Sequence, residues 1–115
     1  MILAAGSVGA FAASQRTFVA STGNDADSCS LVLPCRSFAV AMTQTLDGGE
    51  IVVLDSAGYA PVAIDRSVSI IAPAGVYAGI TAFSGDGVAI TGSSLRVALR
   101  GLTINSQVAR AESTC

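Results

Sequence analysis

The segment at residues 67–91, SVSIIAPAGVYAGITAFSGDGVAIT, decides the fold class of this chain. It contains three short apolar runs rich in β-branched residues, separated by glycine-containing stretches, and Asp86 is its only acidic side chain. Such runs, bounded by turn residues, are typical of short buried strands. The segment therefore predicts an all-β protein in which small and β-branched side chains fill the interior.

Similar apolar runs lie on both sides of this segment, and a helical pattern precedes most of them. Strands are predicted at 17–20, 50–55, 61–65, 67–72, 79–83, 87–91, 96–100 and 101–105. Between residues 37 and 46, the apolar positions Phe38, Ala41, Met42 and Leu46 recur at helical spacing, and two glycines at 48–49 follow them. This pattern predicts one short helix with a single apolar face.

The strands carry a loose internal repeat. Val52, Ile70 and Val88 are each 18 residues apart, as are Val62 and Ile80, and a constant period of this kind indicates stacked structural repeats. Two-residue hairpin signals are lacking between the strands. We therefore predict a right-handed parallel β-helix of about three coils, with Val52, Ile70 and Val88 in one interior column. An antiparallel sandwich with an unrelated binding role remains the alternative.

The two ends of such a stack differ in the sequence. The helix at 37–46 comes just before the first coil and is suited to cover its apolar interior. Residues 106–115, SQVARAESTC, show no strand period and no corner glycine, so we interpret them as an irregular, truncated tail. The last coil would then lack a cap, and we expect end-to-end self-association.

The first thirteen residues, MILAAGSVGAFAA, are uncharged and apolar and end in the small-x-small form of a signal-peptidase site. We interpret residues 1–13 as an export signal, although the basic start of a complete signal is absent. The alternative is an N-terminal strand or helix that packs on residues 14–105. The segment is too short to span a membrane, and we expect a bacterial protein that is secreted or displayed at the cell surface.

The cysteines agree with export. Cys29 and Cys35 flank a short loop containing Ser30 and Pro34, which favour a turn, so the two sulfurs are expected to form a disulfide. Such a bond persists in an oxidising compartment. Cys115 is left without a partner in this scheme, and its role is open.

The composition excludes several functional classes. Hydrophobic residues make up 51% of the chain and charged residues 12%, which excludes disorder. The net charge is −2 and the six arginines are scattered, so there is no basic stripe for nucleic acid. The chain contains no histidine, which excludes a Ser-His-Asp triad and a zinc site of the usual kind. We predict no metal and no cofactor.

A longer pattern resembles a known group. The stretches TFVASTGNDADSCSLVLPCRSFAVAM, GGEIVVLDSAGYAPVAI, SVSIIAP and LRGLTI look like the N-terminal part of secreted bacterial right-handed parallel β-helix proteins, the pectate-lyase-like superfamily. The resemblance covers residues 17–104 and implies a strand, a Gly-Asn-Asp loop and a capping helix before the first coil. Members of that group include polysaccharide lyases, hydrolases and surface adhesins, so the resemblance specifies fold more than activity.

Five residues are candidates for binding a polysaccharide. Arg66, Arg96 and Arg100 could pair with a uronate carboxylate, or could serve only as outward-facing charges. Tyr59 and Tyr77 could stack on sugar rings, or could cover the edge of the core. No lysine is present to act as the base that lyases of this fold use.

Acidic residues occupy turn positions. Asp25 and Asp27 suggest calcium, but their spacing matches no EF-hand and a calcium site needs six or more oxygen ligands. Asp55, Asp65 and Asp86 follow or precede strands and would form the carboxylate pair of a glycosidase only if they converged on one face. The simpler interpretation assigns all five to turns.

Two functional classes follow. The first is a noncatalytic β-helix module of a secreted or cell-surface protein that contacts polysaccharide. The alternative is the N-terminal fragment of a polysaccharide lyase or glycoside hydrolase. Charge is scarce in the sequence, which favours the first. Convergence of acidic and basic side chains on one sheet face would favour the second.

Overall fold

The structure is a computed structural model that describes residues 13–82 and 85–106. Nine strands and one helix occur in this part of the chain. They are β1 (Ser14–Val19), α1 (Phe38–Thr43), β2 (Thr45–Val53), β3 (Ala57–Tyr59), β4 (Val62–Ile64), β5 (Val68–Ile71), β6 (Ala78–Ala82), β7 (Val88–Ile90), β8 (Val97–Arg100) and β9 (Leu102–Ser106). Most of the export signal predicted at 1–13, and nearly all of the tail predicted at 106–115, lie outside the described residues.

The strands form three sheets in which every pairing is parallel. The first sheet has the order β1-β2-β5-β8, the second β3-β6-β9 and the third β4-β7. From β2 onward the chain visits the first, second and third sheets in turn, repeats that order with β5, β6 and β7, and then returns to the first and second with β8 and β9. The prediction that strands 50–55 and 67–72 pair in parallel is confirmed, and antiparallel pairing of these strands is excluded.

The inner faces of the three sheets share one core. Ile51 and Ile70 from the first sheet, Ile80 from the second and Ile64 from the third are fully buried in one cluster. Side chains in a strand point alternately to opposite faces, and every second residue is accordingly buried in β5 and, from Gly49 onward, in β2. The small and β-branched residues of the sequence fill this interior, as expected.

The predicted 18-residue column is wrong. Ile51, not Val52, lies opposite Ile70, and Val52 pairs with Ile71. Val88 belongs to the third sheet, where it lies opposite Val62. The repeat is not constant, since 19 residues separate Ile51 from Ile70 and 29 separate Ile70 from its next partner, Leu99.

Unequal corners cause this variation. The corner that connects the first sheet to the second contains residues 54–56 after β2 and residues 72–77 after β5. After β8 it contains only Gly101. Gly101 has φ +76°, and a Cβ atom there would lie 2.3 Å from the carbonyl oxygen of Ala72. Only glycine fits so tight a corner. Residues 57–58, where the Ala-Gly pair is a turn signal in the sequence, instead belong to β3.

The helix is shorter than predicted. It begins at Phe38, after the N-cap Ser37, whose hydroxyl accepts a hydrogen bond from the Val40 N–H at 3.2 Å, and it ends at Thr43. Phe38 and Met42 are buried as expected. Leu46, predicted on the apolar face of the helix, instead lies in β2 and is 44% exposed. The two glycines at 48–49 lie inside β2 rather than ending the helix.

The helix and the loop before it cover one side of the first strands. Cys29 and Cys35 are disulfide-bonded with their Cα atoms 4.6 Å apart, which confirms the predicted pair. Within the described residues no helix is long and apolar enough to cross a membrane.

Candidate functional site

The outer face of the first sheet presents two rows of side chains. The register aligns residues that point away from the core, because they alternate with the buried positions. One row runs through Arg16, Glu50, Ser69 and Ala98, and the second through Phe18, Val52, Ile71 and Arg100. The face thus combines a polar row with an apolar row that ends in an arginine.

A shallow depression of about 330 Å³ opens on this face. Its lining residues are Gln15, Arg16, Gly48, Gly49, Glu50 and Ser69. Gly49 allows β1 and β2 to approach closely, since a Cβ atom there would lie 2.5 Å from the Gln15 carbonyl oxygen. Arg16 and Glu50 form an ion pair in the depression, so its floor carries both charges.

Two of the three candidate arginines share this outer face. Arg100 occupies an outward position of β8, next to the inward-facing Leu99, and Arg96 directly precedes the strand, next to the inward-facing Val97. They are four positions apart along extended chain, or about 13 Å. Both side chains are exposed, and neither forms an ion pair with another described residue.

Arg66 is held differently. Its Nη1 donates to the Thr45 carbonyl oxygen at 3.1 Å, and its Nε donates to Asp65 Oδ1 at 3.1 Å. The first bond ties the start of β5 to the start of β2. The Arg66 side chain is therefore held by two hydrogen bonds within the protein, unlike the exposed side chains of Arg96 and Arg100.

The two candidate tyrosines lie apart. Tyr59 is only 4% exposed. Its ring centroid is 5.2 Å from that of Phe38, and the Arg36 guanidinium carbon lies 5.0 Å from it. Tyr59 therefore covers the core, which was the second interpretation offered by the sequence, and its ring offers no free face to a sugar. Tyr77 is 53% exposed and lies in the corner at 72–77, beside the backbone of Gly79.

The Tyr59 hydroxyl joins a polar network at the first corner. It donates to Asp55 Oδ1 at 2.9 Å, and the backbone N–H of Ser21 donates to the same oxygen at 2.7 Å. The Ser21 hydroxyl donates to Asp55 Oδ2. The hydrogen bonds from the side chain and backbone of Ser21 lower the pKa of Asp55. Burial and the hydrogen bond to Asp55 raise the pKa of Tyr59.

Asp25 has an equivalent role at the start of the helix. Its Oδ1 accepts hydrogen bonds from the backbone N–H groups of Arg36 at 2.8 Å and Ser37 at 2.9 Å. Burial raises the pKa of Asp25, but the hydrogen bonds from Ser37 and Arg36 outweigh it, and the net pKa is lowered. This carboxylate orders the loop that leads into α1.

The acidic residues do not converge. Asp55, Asp65 and Asp86 lie in separate segments: after β2, after β4 and before β7. In the part of the chain that the structure describes, no three Asp, Glu, Cys or His side chains are grouped so that they could hold a metal ion. The acidic and basic residues brought together on one face are instead Glu50, Arg16, Arg96 and Arg100.

Sequence reasoning missed the outer rows of β1 and β2. Arg16, Phe18 and Glu50 alternate with the buried positions Thr17, Val19 and Ile51, and that alternation was the available signal. The alternation did not reveal the outward positions, because the assumed 18-residue repeat placed Val52 in the interior.

No family model matches this chain, and neither a curated protein nor a solved structure was found that matches it.

Proposed function

We propose that the chain forms the N-terminal part of a right-handed parallel β-helix of the kind found in the pectate-lyase-like superfamily. The structural observation that supports this is the repeated passage of the chain through three parallel sheets in a fixed order. A chain that winds in this way buries the same inward rows in each coil. The sequence resemblance over residues 17–104 supports the same interpretation.

We further propose that it acts as a noncatalytic module that contacts an acidic polysaccharide on the outer face of the first sheet. Exposed arginines at positions 96 and 100 support this, because their guanidinium groups can donate paired hydrogen bonds to uronate carboxylates. The spacing of about 13 Å suits contact with separated carboxylates of one extended chain. The proposal does not use Tyr59, which is buried.

The apolar row adds a second kind of contact. Phe18, Val52 and Ile71 are partly exposed and aligned across three adjacent strands. Apolar side chains of this kind can pack against the C–H faces of sugar rings, which gains free energy from burial of apolar surface. Together the rows offer an extended surface in place of a deep pocket, which suits a polymer rather than a small ligand.

Export fits this role. The disulfide between Cys29 and Cys35 would persist in an oxidising compartment, and extracellular polysaccharides are found there. We therefore propose that the protein is secreted or held at the bacterial surface, as the apolar residues 1–13 suggested.

Binding can be tested with polygalacturonate, alginate and a neutral glucan by isothermal titration calorimetry. We expect the two acidic polymers to bind and the neutral one not to bind. The double variant Arg96→Gln/Arg100→Gln should weaken binding about tenfold, since each exposed charge contact contributes about 0.7 kcal/mol.

Arg66→Gln is the matched control. It removes one positive charge whose side chain already bonds Asp65 and Thr45, so it should leave binding nearly unchanged. Equal binding by the wild type and the double variant, or equal binding of acidic and neutral polymers, would contradict the proposal.

The noncatalytic assignment has its own test. β-Elimination needs a base near the sugar C5, and hydrolysis needs two carboxylates at a set separation. The described acids do not converge, so we expect no unsaturated products and no new reducing ends from pectate or alginate with calcium present. Turnover above a denatured control, lost in Arg66→Gln or Arg96→Gln/Arg100→Gln, would favour the alternative of a lyase or hydrolase fragment.

A further inference from the structure

Tyr77 carries a large aromatic side chain that is exposed yet held in place. It is the last residue of the 72–77 corner, and its side chain is 53% exposed. Its backbone N–H donates to the Ser56 hydroxyl at 2.8 Å, and its carbonyl accepts a hydrogen bond from the Ala57 N–H at 2.9 Å. Both backbone groups of Tyr77 are therefore fixed to the segment that enters β3.

The Tyr77 ring rests on a glycine. Gly79 faces outward, because it alternates with the buried Ala78 and Ile80, but it is itself buried. A Cβ atom at this position would lie 2.6 Å from the Tyr77 Oη and 2.9 Å from its Cζ. The outer end of the ring therefore lies over Gly79, and only a residue without a side chain leaves room for it.

The neighbours of Gly79 on the outer face of the second sheet are small. The register aligns Gly58, Gly79 and Thr103 in one row. Gly58 and Thr103 are exposed, and a Cβ atom at Gly58 would meet no other atom within 4 Å. The ring of Tyr77 therefore rises above this row and is accessible to a flat ligand.

Arg100 lies close to this ring along the chain. Gly101 alone connects β8, which ends at Arg100, to β9. Thr103 follows Arg100 by three positions and lies opposite Gly79. The Cα atoms of Arg100 and Gly79 are therefore at most about 16 Å apart. A short segment of one extended polysaccharide can contact both the Arg100 guanidinium and the Tyr77 ring.

The charges around the row favour an acidic ligand. Arg36 lies beside it, where its Nη2 donates to the Gly58 carbonyl at 2.9 Å. Asp55 accepts hydrogen bonds from Ser21 with both carboxylate oxygens, so its charge is directed to the cap. Asp86 follows the opposite end of β6. The two arginines therefore lie on either side of the row, and guanidinium groups bind carboxylates.

We propose that Tyr77 is a stacking platform for one uronate ring of the polysaccharide whose carboxylates contact Arg100. This inference rests on the function proposed above and extends the contact to the outer face of the second sheet. The C–H face of a sugar ring buries apolar surface when it packs on an aromatic ring. A side chain that is already held in place loses little conformational entropy on binding. Stacking thus adds to the arginine contacts and does not replace them.

Four variants of the 115-residue chain test the platform. Tyr77→Ala removes the ring, whereas Tyr77→Phe keeps it. Gly79→Ala keeps Tyr77 but places a methyl group where the ring lies, so the ring must move. Gly58→Ala is the matched control, because it makes the same change at the next position of the row, where a Cβ atom contacts nothing. Thermal melts establish that each variant is folded.

Binding of hexagalacturonate is measured by isothermal titration calorimetry and by NMR, in which ligand protons above an aromatic ring shift upfield. We expect Tyr77→Ala and Gly79→Ala each to weaken binding about three- to tenfold and to abolish the upfield shifts. Gly58→Ala should bind as the wild type does, and Tyr77→Phe should bind more tightly than Tyr77→Ala.

Failure of this inference can be distinguished from failure of the proposed function. A wild type that does not bind hexagalacturonate would overturn both. Binding that falls in Arg96→Gln/Arg100→Gln but is unchanged in Tyr77→Ala would overturn the stacking platform alone.

Discussion

At the scale of single residues, a pair of buried hydroxyl groups shows how the cap joins the first sheet. Thr17 and Thr45 are both almost fully buried, and their hydroxyl oxygens are 2.9 Å apart. The Thr45 hydroxyl donates its only hydrogen to the Ala41 carbonyl at 2.6 Å. The Thr17 hydroxyl must therefore donate to Thr45. Thr45 thus takes part in two hydrogen bonds, as donor and as acceptor, whereas Thr17 takes part in one.

This inequality predicts different costs for two isosteric substitutions. Thr45→Val leaves the Thr17 hydroxyl without an acceptor and removes one of the two hydrogen bonds to the Ala41 carbonyl, which keeps the bond from the Gln44 N–H. It should lower the free energy of unfolding by about 1–3 kcal/mol. Thr17→Val leaves the bond from Thr45 to Ala41 intact and should cost less than about 1 kcal/mol. Urea denaturation measures both values. Equal losses would show that the hydrogen-bond order is different.

At the scale of elements, the six-residue helix depends on its packing rather than on its length. A helix this short is not stable in water by itself. Phe38 is fully buried and contacts the Tyr59 ring, and Ser37 and Asp25 satisfy backbone N–H groups at its start. The helix is therefore stabilised by its packing against the core and by the hydrogen bonds that anchor the loop before it.

Removing the aromatic contact should destabilise the cap. We expect Phe38→Ala to lower the free energy of unfolding by about 3–5 kcal/mol, because it leaves a cavity between α1 and Tyr59. Phe38→Asp should prevent folding, since it also buries a charge. Ala39→Asp, at an exposed position of the same helix, is the control and should have little effect. Circular dichroism melts that show no change for Phe38→Ala would mean that the helix is peripheral.

The disulfide loop permits a prediction of similar clarity. Cys29→Ser/Cys35→Ser should lower the free energy of unfolding by about 2 kcal/mol, the loop-closure value for so short a ring. Reduction of the wild type should have the same effect. In the oxidised wild type, thiol alkylation should label Cys115 alone. Labelling of two further thiols under nonreducing conditions would contradict the bond.

Strand positions were more predictable than strand register. Runs such as those at 50–55 and 67–72 carry β-branched residues between turn signals, and local pattern alone places the strands there. Register depends on corner geometry, and nothing local indicates that Gly101 replaces six residues of the preceding corner. For the same reason Val52 was wrongly placed in the interior and the outward position of Glu50 was not assigned, whereas Arg96 and Arg100 were identified by charge.

At the scale of the whole molecule, one carboxylate orders the cap and a second fastens the cap to the first corner. Asp25 holds the backbone before α1, and Asp55 holds Ser21 and Tyr59. Both have lowered pKa values in the folded protein. Their contribution to stability is therefore present above the unfolded pKa of about 3.9 and is lost as pH falls through the lower, folded values.

The protein should accordingly lose stability below about pH 4. Asp55→Asn should be less stable than the wild type at neutral pH and should show a shallower decline between pH 5 and pH 3. Asp86→Asn is the control, since it removes an exposed negative charge that takes no part in these hydrogen bonds. Urea denaturation across this pH range provides the measurement. A decline equally steep in Asp55→Asn and wild type would contradict this role.

The unequal corners have a consequence for engineering. Parallel pairing is kept whether a corner contains one residue, three or six, so the sheets do not depend on the length of chain between them. Residues 73–75 are all exposed, and loop length changes the entropy of closure only slowly. A foreign peptide inserted after Ala74 would therefore be displayed on a rigid support. The other two corners are unsuited to insertion, because Asp55 holds Ser21 and Tyr59 and Gly101 packs against the Ala72 carbonyl.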